Sequence, residues 1–323
     1  AYRDGTLYVA GDFTEAGGLP ARGFAQWRGG VWTVPDVSIT GRVYDMVTDS
    51  EGTLYVAGDF ELEAPGVRLR HLARWNGTTW SSVGRTFDHP VLSLAPYGAW
   101  LLAGFDHPAA GSGPPETCEL AGCVGYWNGQ RWSALSPLLP VDSLSGVPHV
   151  AASTTGIYVG GSFFVDLQGE RRQGLAWLRD GAWGRVMAWD APVQAMEARW
   201  KDLYVSGAVD GRLRRWDGSA WTRFGTGVDG PVFALATVSA GSYTMVHVGG
   251  AFERAGAHAS PHFAVWHGAT TVDAEAEAPQ PAADRLLPNY PNPFGAATTF
   301  AYVLSAPQHV VLTVYDLLGR PVR

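Results

Sequence analysis

The stretch that decides the fold is GTLYVAGDF, which occurs at residues 5–13 and again, letter for letter, at residues 52–60. An identical string at an offset of 47 positions indicates a repeated structural unit rather than one active site. Degenerate copies, LLAGFD, YVGGSF, YVSGAV and HVGGAF, begin at Leu101, Tyr158, Tyr204 and His247. The chain therefore contains six copies of one unit.

Each copy continues into a segment that ends near a tryptophan. These tryptophans are Trp27, Trp75, Trp127, Trp177, Trp216 and Trp266, spaced 39 to 52 residues apart. In most copies a second tryptophan follows after Gly-Gly, Asn-Gly or Asp-Gly, dipeptides that suit tight hairpin turns because they tolerate positive φ. We expect the two indoles of a copy to face each other across a β-hairpin, where they serve packing.

A further short apolar strand opens each complete unit. It begins at Val43, Val91, Val147, Val193 and Val232. Each unit then has four short strands, here named A to D, and repeats of this kind are typical of propeller blades. We predict an all-β chain whose residues 1–270 form a β-propeller of about six four-stranded blades. The first blade is expected to lack strand A and the sixth to lack a clear strand D, so either these two blades complete each other or an upstream segment adds more. The last glycine of GTLYVAG is expected to permit close packing or a bulge.

Composition agrees with short strands and excludes several classes of function. Charged residues make up 16% of the 323 residues, against about 25% in ordinary soluble domains, while there are 41 glycines and 14 tryptophans. A net charge of −7 argues against a nucleic-acid partner, which requires clustered Lys and Arg. No apolar run is long enough to span a membrane.

The repeats resemble those of fungal cortical polarity-marker proteins and their bacterial relatives, which read much like LYVGGxF followed by AxWDGxxW. The resemblance covers about residues 1 to 270. It implies a β-propeller and says little about function, because propellers host both enzymes and binding scaffolds.

The amino-acid composition of the chain changes after the last repeat. Residues 271–285 are small, acidic and rich in Ala and Pro, as in a linker. Residues 286–323 contain two alternating apolar stretches, TTFAYVL and HVVLTVYDL, that predict strands.

This last segment resembles the C-terminal sorting domain of the type IX (Por) secretion system. The resemblance is carried by LPNYPNPF and VYDLLGR, and its sorting-motif residues are Leu287, Pro288, Asn289, Tyr290, Pro291, Asn292, Pro293, Phe294, Tyr315, Asp316 and Gly319. It implies a truncated, partial immunoglobulin-like β-sandwich, the type IX machinery as a partner, and export to the surface or exterior of a Bacteroidetes-type bacterium. The chain is expected to be a piece of a longer protein.

One end of the propeller carries the candidate ligand site. In a four-stranded meander the B–C and D–A connections lie at the same end, and variable loops on a rigid scaffold are where binding usually occurs. The D–A connections contain Asp88, Asp190 and Asp229 just before strand A, with Asp36 and Asp142 at looser spacing. These carboxylates predict a polar-ligand or calcium site at the channel mouth; alternatively, each Asp caps its own turn.

Other chemistry is sparse in the sequence. Cys118 and Cys123 are candidates for a local disulfide or are two free thiols, and alone they cannot form a closed zinc site. No phosphate-binding or dinucleotide fingerprint is present. We therefore predict a secreted or cell-surface scaffold that binds an extracellular glycan or protein without catalysis, with calcium as the one candidate cofactor. The alternative is a secreted glycan-active hydrolase or lyase that uses loop carboxylates.

Overall fold

The computed structural model describes most of the first 269 residues and two short segments beyond them. The described residues are 1–105, 124–135, 141–144, 149–167, 170–185, 189, 191–207, 213–240, 243–269, 285–286 and 302–303. The chain divides into two compact units, Ala1–Ala269 and Thr270–Arg323. Every regular element in the described part is a β-strand. A helix that could span a membrane is absent from this part of the chain.

Six antiparallel sheets follow one another along the first unit, in the arrangement of a six-bladed β-propeller. Blade 1 contains β1 (Tyr2–Arg3), β2 (Thr6–Ala10), β5 (Phe24–Arg28) and β6 (Val31–Thr33). Blade 2 contains β7 (Ser38–Thr48), β8 (Leu54–Ala64), β9 (Val67–Trp75) and β10 (Trp80–Ser81). Blade 3 contains β11 (Val91–Tyr97), β12 (Trp100–Phe105), β13 (Val124–Trp127) and β14 (Trp132–Ala134). A short hairpin, β3 (Glu15–Ala16) and β4 (Leu19–Pro20), lies between β2 and β5.

The last three blades repeat the pattern with two variations. Blade 4 contains β15 (Val141–Leu144), β16 (His149–Ser153), β17 (Gly156–Leu167), β18 (Glu170–Arg179) and β19 (Ala182–Arg185). Blade 5 contains β20 (Val193–Arg199), β21 (Asp202–Gly207), β22 (Leu213–Trp216) and β23 (Trp221–Arg223). Blade 6 contains β24 (Val232–Ala240), β25 (Tyr243–Gly250) and β28 (Phe263–Ala269). A second short hairpin, β26 (Arg254–Ala255) and β27 (His258–Ala259), precedes β28. In blade 4 both β15 and β16 pair with β17.

The expectation that blade 1 lacks strand A is wrong. β1 occupies that position and pairs with β2 through Tyr2 opposite Leu7 and Arg3 opposite Thr6. A two-residue strand has no hydrophobic pattern of its own, so it escapes a search by motif. Blade 6 contains strands A, B and C in the described part of the chain.

Two of the B–C connections are extended hairpins. In blade 2, β8 and β9 continue their pairing as far as Ala64 opposite Val67, with Arg68 bonded to Glu61 at 2.7 Å. In blade 4, β17 and β18 pair as far as Leu167 opposite Glu170. These connections, unlike flexible loops, are continuations of the blades themselves.

A bulge near the start of strand A recurs from blade to blade, as the glycine at the end of strand B led us to expect. In blade 2 the register shifts between Val43, opposite Gly58, and Asp45, opposite Ala57. The same shift occurs at the start of β11, β20 and β24. A Cβ on Gly58 would lie 2.1 Å from the carbonyl oxygen of Arg42, so only glycine allows this approach.

Replacement of Gly58 by valine should therefore lower the free energy of unfolding by about 1–3 kcal/mol, because the side chain displaces the backbone of strand A. Chemical denaturation measures the loss. The control is Gly98→Asn, at a glycine with φ +58° and no atom within 4 Å of its Cβ position, where Asn tolerates the left-handed conformation. Equal midpoints for the Gly58 variant and the wild type would refute the steric argument.

The paired tryptophans confirm the hairpin interpretation in four blades. Trp27 lies opposite Trp32, and the pairs Trp75–Trp80, Trp127–Trp132 and Trp216–Trp221 repeat this register. Blade 4 differs, since Trp177 lies opposite Gly184 and Trp183 lies opposite Leu178. Its two tryptophans are six positions apart instead of five, which shifts the register by one residue.

Successive blades are joined by shared apolar cores. Leu54 and Val56 of blade 2 are completely buried and cluster with Phe24 of blade 1. Equivalent clusters join blades 2 and 3, 3 and 4, 4 and 5, and 5 and 6. We call the side of a blade that faces the preceding blade its rear face, as with Leu54 and Val56, and the opposite side its forward face, as with Phe24.

Little of the second unit is described. Strands β29 (Arg285–Leu286) and β30 (Tyr302–Val303) pair with each other. The sorting-motif residues 287–294, 315, 316 and 319 lie outside the described residues, as does nearly all of the predicted linker. The immunoglobulin-like module stays a prediction.

Candidate functional site

The central channel of the propeller is the candidate site. Strand A of every blade contributes to one cavity of about 620 Å³, a volume ordinary for ligand sites. The lining residues are Ala1, Tyr2, Tyr44–Thr48, Leu92–Pro96, His149–Ala152, Ala195–Arg199 and Phe233–Ala236. Many of these side chains are alanine, and their small size leaves the channel room for a ligand.

Asp45 lies in this lining at the third position of strand A. Its Oδ1 accepts a hydrogen bond from the Met46 N–H and its Oδ2 one from the Leu94 N–H of the next blade, both at 2.7 Å. Burial raises the pKa of Asp45 to about 6, although these two N–H groups act in the opposite direction. Ser93 occupies the same position in blade 3, where its Oγ accepts from the Val150 N–H of blade 4 at 3.1 Å. This position therefore connects neighbouring blades.

Glu197 is the second acidic residue of the lining. Burial raises its pKa to about 7; the hydroxyl of Thr237 in the next blade, which donates to Oε1 at 3.1 Å, opposes this shift, and the charge of Asp45 adds to it. A carboxyl group with this pKa is partly protonated near neutral pH. It can then donate as well as accept a hydrogen bond.

His149 is the third titratable group of the lining. Burial lowers its pKa to about 4, so the imidazole is neutral near pH 7. A neutral imidazole offers one N–H donor and one nitrogen acceptor. Among the described residues it has no hydrogen-bond partner.

Aromatic side chains line the same cavity. Tyr2, Tyr44 and Phe233, from strand A of blades 1, 2 and 6, are 66%, 45% and 58% exposed. Large aromatic residues are usually buried in a soluble domain, and three of them at one cavity form a surface on which a ligand can stack.

The aspartates predicted from the sequence do not lie in this lining as far as the structure describes them. Asp36, Asp88 and Asp229 are exposed at the surface. Asp229 accepts hydrogen bonds from the N–H groups of Glu253 and Arg254, both at 2.9 Å, and its pKa is lowered chiefly by the Arg254 N–H. Asp229 thus holds the B–C connection of its blade, a segment 24 and 25 residues further along the chain, and these bonds differ from the cap of its own turn that the alternative describes.

The remaining predicted residues lie wholly or partly outside the described part of the chain. Asp190, Cys118 and Cys123 belong there, and Asp142 is placed only as a backbone position in β15. Among the described residues no group of three or more His, Cys, Asp or Glu is placed to hold a metal ion. The aspartate site, the disulfide and calcium binding stay predictions.

Sequence reasoning missed the channel residues, although a signal was present. Strand A of an ordinary blade is apolar, as in VFALAT of blade 6, whereas VYDMVT, VPHVAA and VQAMEA each place one titratable residue within it. A titratable side chain in an otherwise apolar strand that lines a channel is a candidate for function.

Comparison with known proteins adds structural likeness only. No protein-family model and no curated protein sequence matches the chain. Among solved structures it is similar to the computationally designed Ika8 protein, with 12% identity and a TM-score of 0.42 over 83% of this chain and 69% of that chain.

Two natural proteins give similar values. One is YCF48 bound to D1 peptide, with 13% identity and a TM-score of 0.38 over 67% of this chain and 65% of that chain, so that less than two thirds of that protein is spanned. The other is the GH93 α-L-arabinofuranosidase of Fusarium graminearum in complex with arabinobiose, with 11% identity and a TM-score of 0.39 over 75% of this chain and 84% of that chain. These likenesses carry no argument about the ligand or activity of this chain.

Proposed function

We propose that the chain is a secreted or cell-surface β-propeller that acts as a non-catalytic binding scaffold and holds its ligand in the central channel. The observation that carries this proposal is the set of exposed aromatic side chains, Tyr2, Tyr44 and Phe233, around a single cavity of about 620 Å³. Exposed rings that converge on a cavity are typical of binding sites.

The polar groups of the channel support an uncharged, hydroxyl-rich ligand such as a glycan. Neutral His149 and partly protonated Glu197 each supply a donor and an acceptor, which match hydroxyl groups. Aromatic rings pack on the apolar faces of such a ligand. A strongly charged ligand would have to enter a channel whose burial already disfavours charge on Asp45 and Glu197.

Export is the part of the proposal that rests on the tail. The resemblance of Leu287–Phe294 and Val314–Arg320 to the type IX sorting domain supports secretion by that machinery to the surface or exterior of the cell. Deletion of residues 286–323 in a host with this machinery should then leave the protein inside the outer membrane.

A glycan array tests the binding function. Wild-type protein should bind a subset of glycans, and Tyr44→Ala or His149→Ala should weaken that binding about tenfold, since loss of one well-placed contact removes about 1.4 kcal/mol. A Trp100→Ala variant is the matched control, because Trp100 is 43% exposed and lies outside the channel lining. The triple variant Asp88→Ala, Asp190→Ala, Asp229→Ala reports separately on the predicted site at the mouth.

The outcomes separate the two sites. Loss of binding in the channel variants with retention in the aspartate variant places the ligand in the channel, and the reverse result returns it to the mouth. Equal binding by wild type and every variant would reject both sites.

One observation favours the alternative, a glycan-active hydrolase. The raised pKa values of Asp45 and Glu197 are of the kind that a general acid needs. Against it, both Asp45 oxygens are occupied by main-chain N–H groups of two blades, which gives the residue a connecting role. Release of reducing sugar from a bound glycan by the wild type, and its absence in Glu197→Gln, would establish the hydrolase.

A further inference from the structure

The forward face of blade 6 is exposed, unlike that of every other blade. At the strand C position that pairs with the equivalent of Ala57 in strand B, five blades carry a side chain buried by the next blade. These residues are Phe24 (0% exposed), Leu72 (2%), Val124 (3%), Leu175 (4%) and Leu213 (4%). In blade 6 the equivalent Phe263 is 51% exposed, and Val265 and Val238, on the same side of the sheet, are 37% and 45% exposed.

The rear face of blade 1 is the matching half of a junction. Leu7 and Val9 belong to the first copy of GTLYVAGDF and are only partly buried, whereas the identical Leu54 and Val56 of the second copy are 0% exposed against blade 1. The same leucine and valine are thus completely buried in one blade and partly exposed in the other. In the other blades the rear face is covered by the forward face of the preceding blade, as Phe24 covers Leu54 and Val56.

The two open faces do not cover each other within the chain. Among the described residues no core cluster joins blade 6 to blade 1, although five clusters join the other neighbours. Blade 1 is fixed on blade 2 and blade 6 on blade 5 by closely packed cores. Closure within one chain would require all five junctions to change their angle, which packed interiors resist.

We propose that the forward face of blade 6 binds the rear face of blade 1 of a second copy of this chain. Phe263, Val265 and Val238 would pack against Leu7 and Val9 of the other copy, as Phe24 packs with Leu54 and Val56 inside one molecule. This contact is head-to-tail, and each added copy again leaves one open face of each kind, so assembly continues unless the geometry closes a ring.

Sedimentation velocity over a wide range of protein concentrations tests this contact. The mean mass of the full chain should rise with concentration, and Phe263→Asp or Val265→Asp should reduce it to that of the monomer. Both residues are exposed, so neither change should unfold the blade. The matched control is Trp200→Asp, at an aromatic residue that is 67% exposed on blade 5 with φ +57°, a conformation that Asp tolerates. It should associate like the wild type.

Cross-linking identifies the faces involved. In a Cys118→Ser, Cys123→Ser background, a Val9→Cys chain mixed with a Phe263→Cys chain should form a disulfide-linked dimer under mild oxidation. A single chain that carries both cysteines and links only within itself would overturn the proposal in favour of closure of one ring. Wild-type protein that stays monomeric at every concentration, or Phe263→Asp protein that associates like the wild type, would overturn it as well.

Discussion

Replacement of Leu54 by alanine is expected to lower the free energy of unfolding by about 2–5 kcal/mol, the usual cost of removing a leucine side chain from a closed core. The same replacement at Leu7 should cost about 1 kcal/mol or less, because Leu7 is only partly buried. Both residues are the third letter of GTLYVAGDF. Local strand propensity is therefore the same at the two sites, and the difference isolates the contribution of the neighbouring blade.

Denaturation by urea, followed by tryptophan fluorescence at low protein concentration, measures the two losses. Dilution keeps molecules apart, so that a second copy does not cover blade 1. A shift of the midpoint that is equal for the two variants would contradict the structure, because Leu7 would then be as well covered as Leu54. Leu101→Ala provides a second core position, since Leu101 of blade 3 is 4% exposed and packs in the cluster between blades 2 and 3.

The repeated string predicted the blade and its hairpins because both depend on short-range pattern. The Trp27–Trp32 pair follows from spacing across a tight turn, and the structure confirms that register. The fourth blade fails for the same reason, since one extra residue between Trp177 and Trp183 moves every pairing by one. Strand β1 was missed because a strand of two residues is too short to show an alternation of apolar and polar side chains.

The channel residues could not be placed by alternation, because the bulge in strand A reverses it. In a regular strand, residues i and i+2 lie on one face of the sheet. Val43 packs in the cluster with blade 1, yet Asp45, two residues later, bonds to Leu94 of blade 3. Ser93 and Val91 are separated in the same way, since Val91 packs toward blade 2 and Ser93 bonds to Val150 of blade 4. An extra residue at the bulge turns the third position to the opposite side.

The predicted aspartates and the channel residues differ in how far a sequence reveals them. Carboxylates in D–A connections are visible in a sequence because Asp before Pro or Gly marks a turn. In the structure Asp229 accepts hydrogen bonds from the Glu253 and Arg254 N–H groups of the B–C connection, a contact between distant segments that no turn signal reveals. The burial that gives Asp45, Glu197 and His149 their shifted pKa values arises when blades that are distant in the sequence come together, as the bonds of Asp45 to Leu94 and of Glu197 to Thr237 illustrate.

Glu197→Gln should stabilise the fold at pH 8 by up to about 3 kcal/mol and have little effect at pH 4. Burial raises the pKa of Glu197 from the ordinary 4.5 to about 7, so the folded state binds more protons than the unfolded state between these values. Stability of the wild type therefore falls as the pH rises through this window, and the full cost is present above pH 7. A rise of the pKa from 4.5 to about 7 corresponds to about 3 kcal/mol. Glutamine keeps an acceptor for the Thr237 hydroxyl and removes the charge.

Urea denaturation of wild type and variant at several pH values between 4 and 8 measures this effect. Two other groups titrate in the same range. The raised pKa of Asp45 makes the fold less stable as the pH increases. The pKa of His149 is lowered to about 4, so its contribution makes the fold more stable as the pH increases from about 4 to about 6.5. Both are present in wild type and variant, so most of their contribution cancels in the difference. Glu51→Gln is the matched control, because Glu51 is exposed in the turn after β7 and should follow the wild-type curve. Parallel curves for the wild type and Glu197→Gln would mean that the carboxylate of Glu197 is hydrated in the folded state, and that the channel is wetter than the packing of its six inner strands indicates.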